Sequence, residues 1–188
     1  MGALARAVEN ALSLQACVLS LDGRERIAES FVGTVEEAER IGRDLAQRLV
    51  ARGAKRLIDA GQGEEAITVL RRFIATSPKP ELLDDTYLLL GAAMYTAKQY
   101  PDALKYLKQL QTEFPESEVT DRGKLMQARV HAAMGNIDLA LPILTGLRNL
   151  SKDDSTKREA MRLSGEFYAQ KKDAPRAIQA WLDEVALG

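Results

Sequence analysis

The strongest constraint on this sequence is a period of 37 residues that recurs from residue 54 to residue 181. Four kinds of residue recur at this spacing: a small residue, an alanine, a large apolar residue and a turn residue. The four series are Ala54, Gly91, Ala128 and Gly165; Ala66, Ala103, Ala140 and Ala177; Leu70, Leu107, Leu144 and Trp181; Gly61, Lys98, Gly135 and Lys172. Self-similarity at a fixed period is typical of a repeat architecture. We therefore expect a tandem array rather than one continuous core.

Each period predicts two helices packed antiparallel. The small residue lets the first helix of the pair (helix A) approach its partner closely, and the alanine twelve residues later does the same from the second (helix B). Pro78 and Pro115, a further twelve residues on, end their units because proline cannot continue a helix. The predicted units span 47–83, 84–120, 121–157 and 158–188, and Trp181 is expected in their core.

A different pattern precedes the array. Leu12, Leu14, Ala16 and Val18 alternate with polar residues, which indicates a strand, and Asp22-Gly23 is a hairpin turn signal before a second strand at 24–32. Thr34 to Glu37 fits a capping box at the start of an amphipathic helix whose stripe includes Val35, Ala38, Leu45 and Leu49. Gly61 and Gly63 predict a break after this helix.

The predicted fold class is therefore mainly α, with helix-pair repeats after a small β-hairpin and helix. We place a partial α/β segment at 1–60 and the repeat array at 61–188. Acidic pairs, Asp84-Asp85 and Asp153-Asp154, are expected where helices start, and Ser151 is expected to be a helix cap.

Residues 47–188 resemble the tetratricopeptide repeat (TPR), through the small residue, the alanine and the proline at steps of twelve. Phe114 to Glu118 is similar to the longer repeats of bacterial cell-envelope TPR proteins. The resemblance implies a TPR-like superhelix that acts as a non-catalytic protein–protein interaction scaffold. Partners of such arrays usually bind along the concave face, which is lined by helix A residues.

Residues 11–56 resemble the C-terminal end of hydroxymethylbilane synthase (porphobilinogen deaminase), an enzyme of porphyrin biosynthesis. The matching runs are 12–24, 35–46 and 51–54. In that family a Gly-Gly-Cys loop upstream of this region holds the cofactor, whereas Cys17 follows Ala16 in a predicted strand and does not match it. No catalytic, cofactor-binding or metal-binding residue carries over. The alternative to a scaffold is therefore a fragment or fusion of the synthase that lacks its catalytic domains.

The TPR register places a set of candidate peptide-binding residues on the concave face: Arg48, Lys55, Tyr95, Arg122, Arg129 and Arg162. Asp85, Glu159 and Glu166 share this face. In the third unit this face is expected to carry more positive than negative charge, which would favour binding of an acidic peptide or a C-terminal carboxylate. The alternative is that these long charged side chains only solvate an exposed helix face.

Composition narrows the function further. Lys and Arg total 26 against 27 Asp and Glu, so nucleic acid and anionic membranes are not expected partners. One His and one Cys exclude a zinc site built from those ligands, and no apolar run is long enough to span a membrane. Without a convincing signal peptide the chain is expected to be cytoplasmic, or periplasmic if its true N-terminus lies upstream.

The fourth unit lacks a polar capping helix, which predicts self-association there or a chain cut short.

Overall fold

Three β-strands and one 3-10 turn precede eight α-helices in the computed structural model, which describes residues 2–19, 26–76 and 83–187. The strands are β1 (Gly2–Val8), β2 (Ala11–Leu19) and β3 (Arg26–Thr34), and the 3-10 turn is Val35–Glu37. The helices are α1 (Ala38–Asp59), α2 (Gly63–Thr76), α3 (Asp84–Thr96), α4 (Tyr100–Glu113), α5 (Thr120–Ala133), α6 (Ile137–Leu150), α7 (Asp154–Gln170) and α8 (Ala174–Ala186). The mainly α fold class is confirmed.

The chain divides into two compact units, residues 1–82 and residues 83–188. The sequence predicts a domain boundary at 60/61 from the two family resemblances, not from how compactly the chain packs. That boundary stays a prediction. The expected turn at Asp22-Gly23 and the proline at 78 lie outside the described residues.

In the first unit, the strands form an antiparallel sheet in the order β1-β2-β3. Strands β2 and β3 are the two strands that the sequence predicts, whereas β1 is a third strand that it does not predict. β1 pairs directly with β2, so that Val8 lies opposite Ala11 across a turn at Glu9 and Asn10. Glu9 has φ 52°, a left-handed conformation that glycine or asparagine usually supplies. The absence of that turn signal is why the sequence did not predict β1.

Helix α1 packs on the sheet and on α2. Its buried stripe is Ile41, Leu45 and Leu49, which are 0–5% exposed, whereas Val35 is 43% exposed. The predicted stripe was wrong at Val35 and at Ala38, which is also exposed, because the first turn is a 3-10 turn, which changes the phase of the helix behind it. The capping box is confirmed: the Thr34 backbone N–H donates to Glu37 Oε2 at 3.1 Å.

α1 is continuous to Asp59, so the same helix contacts both the sheet and α2. The predicted break follows it directly, where Gly61 has φ 77° and α2 begins at Gly63. The three later turn positions of the 37-residue series also have positive φ: Lys98 at 59°, Gly135 at 80° and Lys172 at 61°. The repeat therefore sets backbone conformation at each of its four turns.

In the second unit, successive helices pack as three pairs: α3 with α4, α5 with α6, and α7 with α8. The small-residue prediction is confirmed by the packing within these pairs. A Cβ added at Gly91 would lie 2.5 Å from Leu107 Cδ2, and one at Gly165 would overlap the Trp181 indole. Each glycine thus contacts the large residue that the period assigns to its own helix B.

Candidate functional site

Helices α3, α5 and α7 lie side by side, because α3 contacts α5 and α5 contacts α7. We call the surface that these three helices share the helix-A face. Its charged side chains are exposed or half-buried and carry both signs: Asp85, Arg122, Arg129, Arg158, Glu159, Arg162 and Glu166. The predicted residues of the third and fourth units therefore share one surface.

Two of the predicted arginines on this face bind carboxylates of the chain itself. Arg129 on α5 donates to Glu159 on α7. Arg162 holds the same carboxylate with two hydrogen bonds, from Nε at 2.9 Å and Nη2 at 2.6 Å, and also pairs with Glu166. The Arg162 hydrogen bonds, assisted by Arg129, lower the pKa of Glu159 although partial burial opposes them. This network neutralises much of the basic character that the sequence predicts.

A cavity of about 420 Å³ lies beside this network, between the N-terminal parts of α5 and α7. Its lining residues are Arg122, Leu125, Asp153, Ser155, Thr156, Arg158, Glu159 and Glu184. Arg122 and Arg158 are both exposed, and neither forms an ion pair within 4 Å in the part of the chain that the structure describes. They are the cations of this face that remain available to another molecule.

Asp153 fixes the wall of the cavity by capping α7. Its Oδ2 accepts from the Thr156 backbone N–H at 2.9 Å and from the Thr156 hydroxyl at 2.7 Å, and its Oδ1 accepts from the Ser155 N–H at 3.2 Å. The hydrogen bonds from Thr156 lower the pKa of Asp153. The carboxylate therefore stays ionised but has its acceptors largely occupied. Ser151 is not the N-cap of this helix: it is the C-cap of α6, and its Oγ accepts from the Asp153 N–H.

The other predicted residues do not line this cavity. Arg48 and Lys55 belong to α1 in the first compact unit, where the Arg48 guanidinium stands 5.2 Å from the centre of the Phe31 ring. Tyr95, near the end of α3, is half-buried with its ring 5.9 Å from that of Tyr100. The structure thus brings together Arg122, Arg129 and Arg162.

Two features of the site escaped sequence reasoning. Arg158 lines the cavity at the first position of the fourth unit, where the two preceding units have Asp84 and Asp121. That departure from the period was the available signal. The second feature is that the pKa of Asp85 is raised, because the carboxyl is partly buried and lies beside Asp84. Asp85 is therefore protonated more readily than the sequence suggests.

Residues 2–19, 26–76 and 83–187 contain no group of three or more His, Cys, Asp or Glu side chains that could hold a metal ion. No helix described by the structure is both long and apolar enough to cross a membrane. Cys17 is half-buried in β2, as predicted, beside a surface depression of the sheet that also contains Glu29.

The fold defines a helical-repeat protein, and comparison with protein families specifies the repeat. Family models described as tetratricopeptide repeat match residues 85–117 and 125–187, which together extend from α3 to α8. The chain is therefore a tetratricopeptide-repeat protein over these helices, and the predicted resemblance is confirmed.

Two solved structures show the same fold. The crystal structure of MamA superposes with a TM-score of 0.58 at 16% identity and covers 81% of this chain and 92% of MamA. The MamA RS-1 ArsTM double mutant gives a TM-score of 0.56 at 18% identity, with 75% and 74% covered. At these identities the similarity concerns the fold alone.

Four curated relatives that match a short part of the chain are porphobilinogen deaminases. The protein from Moorella thermoacetica is 43% identical over 58 residues, which is 31% of this chain and 18% of the enzyme. Those from Carboxydothermus hydrogenoformans and Methylobacillus flagellatus are 37% and 40% identical over 59 and 60 residues. The chain spans less than a fifth of the length of these relatives, so the second predicted resemblance is confirmed as a partial one.

Proposed function

We propose that this chain is a non-catalytic interaction scaffold whose helix-A face binds a protein or peptide. The observation that carries the proposal is the cavity between α5 and α7, where Arg122 and Arg158 are exposed and form no ion pair within 4 Å among the described residues. Apolar side chains of α3 and α5 are used in packing: Leu90, Met94 and Val130 are fully buried. The surface is therefore free to bind without disturbing the core.

The preferred partner is a peptide that presents a carboxylate, either an acidic side chain or a C-terminus. A guanidinium can bind a carboxylate through two parallel hydrogen bonds. Because Glu159 and Glu166 already occupy Arg129 and Arg162, Arg122 and Arg158 are the proposed contacts. Glu184 at the cavity edge would repel a second negative charge, so we expect one carboxylate rather than an acidic run.

The alternative, a fragment or fusion of hydroxymethylbilane synthase, is not favoured. The matched region amounts to 18–19% of the porphobilinogen deaminases, and none of the residues that carry chemistry in that family were found in this sequence. The sheet and α1 are therefore proposed to be a structural remnant or an extension of the array.

Charge reversal at the cavity tests the proposal. We expect a peptide selected from a displayed library with free C-termini to bind at least about tenfold more weakly to the Arg122→Glu variant, since one charge-assisted hydrogen-bonded contact becomes repulsive. Isothermal titration against the full chain measures the change. Lys108→Glu is the matched control, because Lys108 is an exposed lysine on α4, away from the helix-A face.

Two outcomes would contradict the proposal. One is equal weakening by Lys108→Glu, which would point to a general charge effect. The other is unchanged affinity when the peptide carboxylate is replaced by an amide and Arg122 is reversed, which would place the binding site elsewhere.

A further inference from the structure

One carboxylate divides the arginines of the helix-A face into two sets. Glu159 lines the cavity together with Arg122 and Arg158, but its carboxylate forms no ion pair within 4 Å with either of them. It binds Arg129 and Arg162 instead. The cations that line the cavity therefore stay open to another molecule, while the carboxylate of the chain itself occupies the other two.

The carboxylate of Glu159 is held in place from its own helix. Arg162 lies three residues further along α7 and donates to both carboxylate oxygens, from Nε to Oε2 at 2.9 Å and from Nη2 to Oε1 at 2.6 Å. A guanidinium and a carboxylate joined by two hydrogen bonds have a fixed mutual orientation. Arg162 thus keeps Glu159 on Arg129 and away from Arg122.

Arg129 depends on Glu159 for its charge balance more than Arg162 does. Arg129 binds the carboxylate through Nη2, and it forms no ion pair with another residue in the part of the chain that the structure describes. The pKa of Arg162 is raised, first by its hydrogen bond to Glu159 and to a smaller extent by the charges of Glu166 and Glu184. Loss of the charge at Glu159 would therefore free Arg129 but leave Arg162 paired with Glu166.

The spacing of the arginines on α5 shows what a freed Arg129 would be able to bind. Arg122 and Arg129 are seven residues apart, which is about 10 Å along a helix that rises about 1.5 Å per residue. Three residues of an extended peptide span about the same distance. A peptide whose C-terminal carboxylate lies at Arg122 would thus reach Arg129 with an acidic side chain three residues earlier, if Glu159 did not already occupy that arginine.

We propose that Glu159 is a specificity-determining residue of the helix-A face, and that it restricts this face to ligands with one carboxylate by occupying Arg129. The inference rests on the proposed function, because it concerns selectivity at the same cavity. Glu159 acts as a built-in competitor, since a second carboxylate of the ligand must displace it from Arg129. It also repels that carboxylate as a like charge.

Two peptides that differ by one charge test the proposal. Both are derived from a peptide selected for binding and end in a free carboxylate, and three residues before the last residue one has glutamate and the other glutamine. In isothermal titration, the wild-type chain should bind the glutamate peptide no more tightly than the glutamine peptide. Glu159→Gln should bind the glutamate peptide at least about tenfold more tightly, because a charge-assisted contact with Arg129 becomes available.

Glu166→Gln is the matched control. It removes the same charge from Arg162 but leaves Arg129 paired with Glu159, so it should not create a preference for the glutamate peptide. Adding Arg129→Gln to Glu159→Gln should abolish the preference. Glutamine keeps the size of glutamate and an acceptor oxygen for Arg162, and circular dichroism checks that each variant is folded.

Three results would overturn the proposal: a preference for the glutamate peptide in the wild-type chain, no preference in Glu159→Gln, or a preference in Glu159→Gln that survives Arg129→Gln. An equal preference in Glu166→Gln would also overturn it, because the effect would then come from net charge. Failure of the proposed function looks different, since binding of the glutamine peptide to the wild-type chain would then be unaffected by Arg122→Glu.

Discussion

Replacing Gly91 by valine is expected to lower the free energy of unfolding by about 3 kcal/mol. The added Cβ would lie 2.5 Å from Leu107 Cδ2 and 2.7 Å from Leu107 Cγ. Leu107 is fully buried and cannot move aside without disturbing the contact between α3 and α4. Urea unfolding followed by circular dichroism measures the loss.

Gly146→Val is the matched control for this substitution. Gly146 is also inside a helix, α6, but a Cβ there has no neighbour within 4 Å. We expect it to keep or slightly raise stability, since glycine is a poor helix former by about 1 kcal/mol relative to alanine. Adding Leu107→Ala to Gly91→Val should cost less than the sum of the two single changes. Equal losses at Gly91 and Gly146 would refute the close-approach interpretation.

Leu110→Ala is expected to have a comparable effect through the contact between successive helix pairs. Leu110 on α4 is fully buried, and a Cβ at Gly123 on α5 would lie 2.7 Å from its Cδ2. Truncation should cost about 3 kcal/mol, because it leaves a cavity where one pair joins the next. Since stability in repeat proteins depends on nearest-neighbour interfaces, unfolding should also become less cooperative, with a smaller urea m-value.

The control for Leu110→Ala is Leu150→Ala. Leu150 is a leucine at the end of α6 that is 82% exposed, so its truncation should change stability by less than about 0.5 kcal/mol. A loss at Leu110 with an unchanged m-value would show that the helix pairs unfold as one block. A loss as small as that at Leu150 would contradict the packing described for α4 and α5.

The repeat architecture could be predicted because its determinants are local and periodic. A small residue in helix A, a large one in helix B and a turn residue between them recur in every unit, so each position is supported by three others. The helix packing and the positive φ values at Lys98 and Lys172 follow from that pattern. β1 could not be predicted in the same way, because its turn at Glu9 lacks the usual residues and occurs once.

The burial of Trp181 on α8 was also predicted only in part. Trp181 occupies the position of Leu107 and Leu144, and the sequence therefore predicts a core residue. It packs against Gly165 but remains 38% exposed. An indole is larger than the leucine side chain it replaces, and part of it is exposed on the surface of α8.

The electrostatic character of the candidate site depends on tertiary structure. The sequence places Arg129 and Arg162 on one face but does not show that Glu159, 30 residues from Arg129, binds both. Ion pairs between neighbouring helices A depend on rotamers and helix spacing, which the period does not encode. For this reason the set of available cations differs from the predicted one, with Arg158 added and Arg129 and Arg162 already paired.

The most direct test of the scaffold proposal is a map of backbone amide chemical shifts in the ¹⁵N-labelled chain as a selected free-carboxylate peptide is added. We expect the largest changes at Arg122, Leu125 and Arg158 and along α5 and α7, with α4 and the outer side of α6 little affected. Changes centred on the sheet or on helices α4, α6 and α8 would contradict a binding site on the helix-A face.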